Sequence, residues 1–183
     1  MKINSYFSLI IAALVCISCA SGRQVQLPEG LPTPKIPAIE VSNQALSSAI
    51  KPVIYIAQIK DKRLSPALIK EVTGEEKTTS GDLGLVLHYA IRKVFRLRGF
   101  DVSDKAAVTL AIKIDKWVAS KSNKQTVFES AITADVVGPS NDTIFTATYD
   151  SFSTSTDLNL SDRQVLARLE TTMADAISEL VDD

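Results

Sequence analysis

Cysteine is almost missing from this 183-residue chain: its two copies, Cys16 and Cys19, both fall within the first twenty residues. The rest of the chain therefore has no thiol nucleophile, no disulfide and no cysteine-based metal site. Its stability must come from a packed core, and a folded part of about 130 residues is large enough to bury one. Histidine occurs once, as His88. One imidazole cannot supply a His-x-x-x-His metal pair, and no Gly-x-Ser-x-Gly elbow accompanies it for a Ser-His-Asp arrangement. The seven glycines are scattered, so none of them builds a phosphate-binding loop. An excess of positive charge is lacking too. The 20 Lys and Arg residues are balanced by 21 Asp and Glu, a net charge of −1, which leaves nothing to recruit nucleic acid. These absences read as a non-enzymatic protein without a cofactor.

What is present at the start is an address. Lys2 precedes an apolar run over residues 6–17, broken only by Ser8. A dozen residues fall short of the roughly 20 that span a bilayer. A short apolar core behind a basic start and before small residues reads as a secretory signal. Ile17, Ser18 and Cys19 fit the lipobox of aliphatic, small residue, then cysteine; Val15 is too bulky for Cys16 to serve in the same way. Residues 1–18 are thus expected as a lipoprotein signal peptide and Cys19 as the lipidated residue. Three acyl chains make such an attachment effectively permanent. Ala20, which is not aspartate, follows the cysteine; by resemblance to other bacterial lipoproteins this implies the outer membrane, with the body facing the periplasm.

Residues 19–51 read as a tether. Pro28, Pro32, Pro34 and Pro37 lie within ten residues, and proline favours extended polyproline II over packed elements. At its far end, residues 39–41 suit an edge strand and 44–50 a turn of helix. The globular part is expected over 52–183.

That part opens with a β-branched strand over 53–59, apolar on both faces as an interior strand is. Ser65 and Pro66 look like a cap and first-turn proline, predicting a short helix over 66–72, and residues 74–77 are expected to be mobile. A helix over 81–98 carries Leu83, Leu87, Ala90, Val94 and Leu97 at helical spacing. Gly99 is its left-handed stop, with Phe100 placed to fold back. Arg92, Lys93, Arg96 and Arg98 suit the negative end of its dipole; the alternative is a basic face for anionic lipid or lipopolysaccharide. Three alternating strands follow around 108–114, 128–136 and 143–152, joined by short connections into an antiparallel meander. Ser161 and Gln164 then start a terminal helix with a capping box. One apolar sheet face and two apolar helix stripes predict an α+β fold: a β-α-β-β-β-α two-layer sandwich, with a mixed four-stranded sheet and both helices on one face. A right-handed crossover makes the first strand parallel to a meander strand.

The lipobox, the aliphatic strand ending in Asp61 and Arg63, the helix closing as Leu97-Arg98-Gly99-Phe100-Asp101-Val102, and the Thr/Ala-rich strands before a last helix together resemble the YajG family of bacterial lipoproteins. The resemblance implies an outer-membrane lipoprotein with no cofactor and no catalytic residues to carry over.

Candidate binding residues are Asp61 and Arg63, where strand meets loop and a turn or ion pair is the alternative, and Trp117, the sole tryptophan, which either packs on the core edge or anchors a partner or glycan. Beyond the membrane reached through Cys19, the expected partner is another envelope protein or an envelope glycan, met through a Thr- and Ala-rich sheet face. Two alternatives stand beside docking. One is an envelope glycan hydrolase built from Asp61, Glu75 and Glu76. The other is peptidoglycan binding through residues 159–163, where Arg163 comes one residue early for the Asn…Leu-Ser-x-x-Arg helix start of such domains.

Overall fold

The computed structural model describes residues 30–39 and 52–183; the signal peptide, Cys19 and the proposed elements at 39–41 and 44–50 lie wholly or mostly outside them. The order of elements is β1 (Val53–Ile56), β2 (Lys60–Asp61), β3 (Ile69–Lys70), β4 (Glu76–Lys77), α1 (Leu83–Leu97), β5 (Asp101–Val102), β6 (Val108–Lys121), β7 (Thr126–Val137), β8 (Thr143–Ser155) and α2 (Asp162–Asp182). The fold is α+β, as the patterning predicts, with one mixed sheet and two helices.

The sheet has eight strands rather than four, because the first strand is laid down in pieces. β1, β2 and β3 run in succession along one edge of β6, all parallel to it. β7 covers the other edge of β6, and β8 pairs with β7, both antiparallel. β4 and β5 add two-residue pairings outside β3 and β1.

The helix expected at 66–72 is replaced by part of this edge. The Ser65 hydroxyl accepts from the Ala67 N–H at 3.1 Å, a local turn rather than a helix cap. Ala67, Leu68 and Ile69 are all buried, which a surface helix would not allow for three successive residues. The Leu68 carbonyl accepts from Ala119 of β6, satisfying a donor that a helix here would leave unpaired. The stretch at 74–77 is likewise structured: Glu76 and Lys77 form β4, joined to β3 by a turn with Gly74 at φ 84°.

A bulge in β6 between Ile114 and Lys116 sets the core. Before it Leu110, Ile112 and Ile114 point inward; after it the phase has moved by one and Trp117 and Ala119 do. Without the extra residue, Trp117 would stand on the solvent face. Inward residues of β6 to β8 share one core with Leu87 and Ile91 of α1 and with Leu169, Met173 and Ile177 of α2, so both helices lie on the same face.

Both helix ends are built as the sequence suggests. Gly99 has φ 99°; its N–H donates to Arg96 O and the Phe100 N–H to Phe95 O, and the two phenyl rings meet edge-on at 5.2 Å. Ser161 and Gln164 form the reciprocal capping box of α2. Gly84 allows α1 to lie on the link between β1 and β2, since a Cβ there would stand 2.7 Å from the Ile59 carbonyl oxygen. Residues 30–39 lie on the body. Leu31 is buried and its N–H donates to Thr78 O, while the Lys35 N–H donates to the Glu170 carboxylate at 2.6 Å.

Candidate functional site

Asp61, Arg63 and Trp117 do meet, and their chemistry is directed inward. The Arg63 guanidinium grips both oxygens of Asp61 (Nε to Oδ1 3.0 Å, Nη2 to Oδ2 2.8 Å). Its Nη1 donates to the carbonyls of Trp117 at 3.2 Å and Ala67 at 3.4 Å. One planar fork thus ties β2, the turn before β3 and the bulged strand together. Burial pushes the Asp61 carboxyl up, but the Arg63 hydrogen bonds outweigh it and hold the pKa below its ordinary value. Trp117 is fully enclosed, and its indole N–H donates to Leu169 O of α2 at 3.1 Å. Its ring packs the core, where no partner reaches it.

The three carboxylates of the hydrolase alternative are committed elsewhere or apart. Asp61 is held by Arg63, Glu76 accepts from Ser65 and pairs with Lys70, and Glu75 is exposed. Among the described residues, no three His, Cys, Asp or Glu side chains are placed to hold a metal ion. His88 lies mid-way along α1 and half-buried, its Nδ1 3.3 Å from the Ala57 carbonyl.

The outer face of the meander carries a cross-strand lattice of polar groups. The Thr133 hydroxyl donates to Asp115 at 2.6 Å and lies 2.9 Å from that of Thr148. Asp135 accepts from Lys113 at 2.7 Å and Thr146 at 2.8 Å, which together lower its pKa. Lys116 reaches Glu129 at 3.0 Å. Phe152, 70% exposed, stands at its rim. This surface is polar and largely self-satisfied, not a flat apolar patch.

A concave apolar surface lies at the other end of the sandwich, where both helices finish. A cleft of about 450 Å³ is walled by Ile54, Phe95, Leu110, Ala134, Val136 and Leu180, with Phe145 at its rim, 48% exposed. Its polar tip is one pair: the Tyr149 hydroxyl donates to Asp183 at 2.7 Å. Burial, and then this bond to a carboxylate, pushes the Tyr149 pKa up to about 12, so the phenol stays protonated near neutrality. Apolar walls with a single oriented polar group suit binding of an apolar guest. These residues come from β1, both helices, and β6 to β8. Each reads in sequence as ordinary core, so only the unfilled space between them marks the site.

Fold and cleft together define a two-layer α+β sandwich with a polar outer sheet face and an apolar mouth at the helix C-termini. No protein-family profile matches the chain, and no curated protein does. Among solved structures, protein XCC0632 from Xanthomonas campestris, of family DUF330, has a TM-score of 0.63 at 15% identity, covering 79% of this chain and 90% of that one. The chain shares its fold. Weaker likenesses are to lipoprotein GNA1162 from Neisseria meningitidis (TM-score 0.41, 10% identity, 70% of this chain and 99% of that one) and a minor lipoprotein from Acinetobacter baumannii (0.48, 7%, 71% and 89%). Among the described residues, no helix is long and apolar enough to cross a membrane.

Proposed function

We propose that this chain is a YajG-like outer-membrane lipoprotein, held by acylated Cys19, whose body is a non-catalytic docking module for another envelope protein. The observation that carries the docking is the apolar cleft. Its walls match an apolar side chain or chain segment, whereas a hydroxyl-rich glycan would find one polar pair there. The lipobox supports the anchor.

Radiolabelled palmitate incorporated into the wild-type chain and absent from Cys19→Ala tests the anchor. A bare thiol at the mature end overturns it. For docking, a photo-crosslinking residue at Phe145 in living cells is expected to give one discrete adduct. Val136→Phe, which fills the cleft from its wall, is expected to abolish that adduct while leaving the circular dichroism unchanged. An adduct that survives the filled cleft, or none at all, refutes this site. Turnover of envelope glycans by the pure protein, lost in Asp61→Ala, would replace docking by catalysis.

A further inference from the structure

The outward face of α1 combines features that the core does not require. Between Leu83 and Leu97 the helix carries no Asp or Glu, yet it presents Arg92, Lys93 and Arg96. Lys93 and Arg96 have no ion-pair partner among the described residues, and Arg92 has only a distant one, Asp104 at 3.7 Å. A helix dipole accounts for cations in the last turn, where Arg96 lies. It does not account for the large apolar side chains that share their face. Leu85 is 50% exposed, Tyr89 66% and Leu97 58%. At 100° per residue, Leu85, Tyr89, Arg92 and Arg96 fall on one stripe, with Lys93 and Leu97 along its flank. A shallow recess of about 430 Å³ lies among Tyr89, the three cations and Leu97.

We infer that this face is a docking surface for a bilayer rich in anionic phospholipid, with the lipid phosphates over Arg92, Lys93 and Arg96 and with Leu85, Tyr89 and Leu97 at the headgroup boundary. One-signed cations mixed with aliphatic and aromatic side chains are the composition of an interfacial helix. The position of the leading chain agrees. Residue 30 joins the body beside the start of α1, where Leu31 pairs with Thr79 and the Gly81 backbone abuts Thr33. From Cys19 to that point the chain spans at most about 35–40 Å. An anchored body therefore stays close to lipid, and α1 gives it an orientation as well as a leash. This proximity rests on the acylated Cys19 proposed above; the charge pattern of α1 does not.

The test keeps the two apart. The full lipidated chain, with Tyr89→Cys carrying an environment-sensitive fluorophore, is reconstituted into phosphatidylcholine vesicles with and without 30% (about one lipid in three) phosphatidylglycerol. Flotation with both kinds of vesicle reports the anchor. A blue shift in the anionic vesicles alone, reversed by high salt, reports docking. The same label at Thr148→Cys on the opposite sheet face is expected not to shift. Lys93→Glu with Arg96→Glu is expected to reduce the docked fraction at least about tenfold; both side chains are exposed, so the cost to folding is confined to the lost cation at the helix end. An equal shift in neutral vesicles, a shift indifferent to the charge reversal, or none despite flotation overturns the inference.

Discussion

Replacing Arg63 by alanine separates a structural tie from a binding site. Its guanidinium faces two kinds of acceptor. The Asp61 carboxylate is 40% exposed, so solvent screening limits that pair to about 0.5–1 kcal/mol. The bonds to Trp117 O and Ala67 O come from a side chain only 7% exposed. The first contributes about 1–1.5 kcal/mol and the longer second one less. Arg63→Ala is therefore expected to cost about 2–3 kcal/mol, lowering Tm by about 6–10 °C for a domain of this size. Arg63→Lys keeps the charge and stem but offers a point donor in place of a fork, and should cost about 1–1.5 kcal/mol. Asp61→Asn keeps an acceptor for the Arg63 N–H, 3.1 Å away, and should cost less than about 1 kcal/mol. Urea and thermal unfolding of the full chain measure all three. If Asp61→Asn costs as much as Arg63→Ala, the carbonyl ties contribute nothing and this account of Arg63 is wrong.

Ser130 and Thr172 face each other in the core at 2.7 Å, and Thr172 also donates to Leu169 O. Thr172→Val alone should cost about 1–2 kcal/mol, and combining it with Ser130→Ala should cost clearly less than the sum of the two single changes; additivity would refute the pairing. Gly84→Ala gains helix propensity but drives a methyl group onto the Ile59 carbonyl, so Tm should fall; a rise in Tm would show that α1 can move off the β1–β2 link. Burial pushes the Glu71 carboxyl up, but hydrogen bonds from Lys121 and Lys77 outweigh it and hold its pKa below the usual 4.5. Its stabilisation is then complete above about pH 4.5 and lost as pH falls through the depressed value. Lys77, raised above 10.5 chiefly by its bond to Asp162, contributes fully below that pH and loses its contribution as pH rises through the raised value. Glu71→Gln should flatten the acid limb of a Tm–pH profile and leave the limb near neutrality unchanged in slope.

The two amphipathic helices, their caps and the meander are legible in the sequence because each depends on neighbours within a few residues. Gly99 and Phe100 close α1, and Ser161 with Gln164 opens α2, through bonds spanning five residues or fewer. The alternation in β6 and β7 needs only the two-residue period of a strand. The failures occur where a distant partner decides. Residues 66–72 have helix-start chemistry, yet the open edge of β6, some fifty residues on, draws Leu68 and Ile69 into the sheet. Trp117 reads by sequence as either a core-edge residue or a surface anchor, and one bulge settles it as fully buried core. Asp61 and Arg63 stand out as chemistry, and the fold spends them on holding three segments together.

By itself, the sequence determined the scarcity of cysteine and histidine and the α+β layering, since these follow from composition and local period. Only the tertiary structure decided which polar groups are consumed inside, where an apolar cleft stays open, and that α1 shows its cations and exposed Leu85, Tyr89 and Leu97 on one face. The physical reason is that burial and pairing are properties of space between segments. A chain read in order carries the residues for both outcomes, and only packing assigns each residue to one of them.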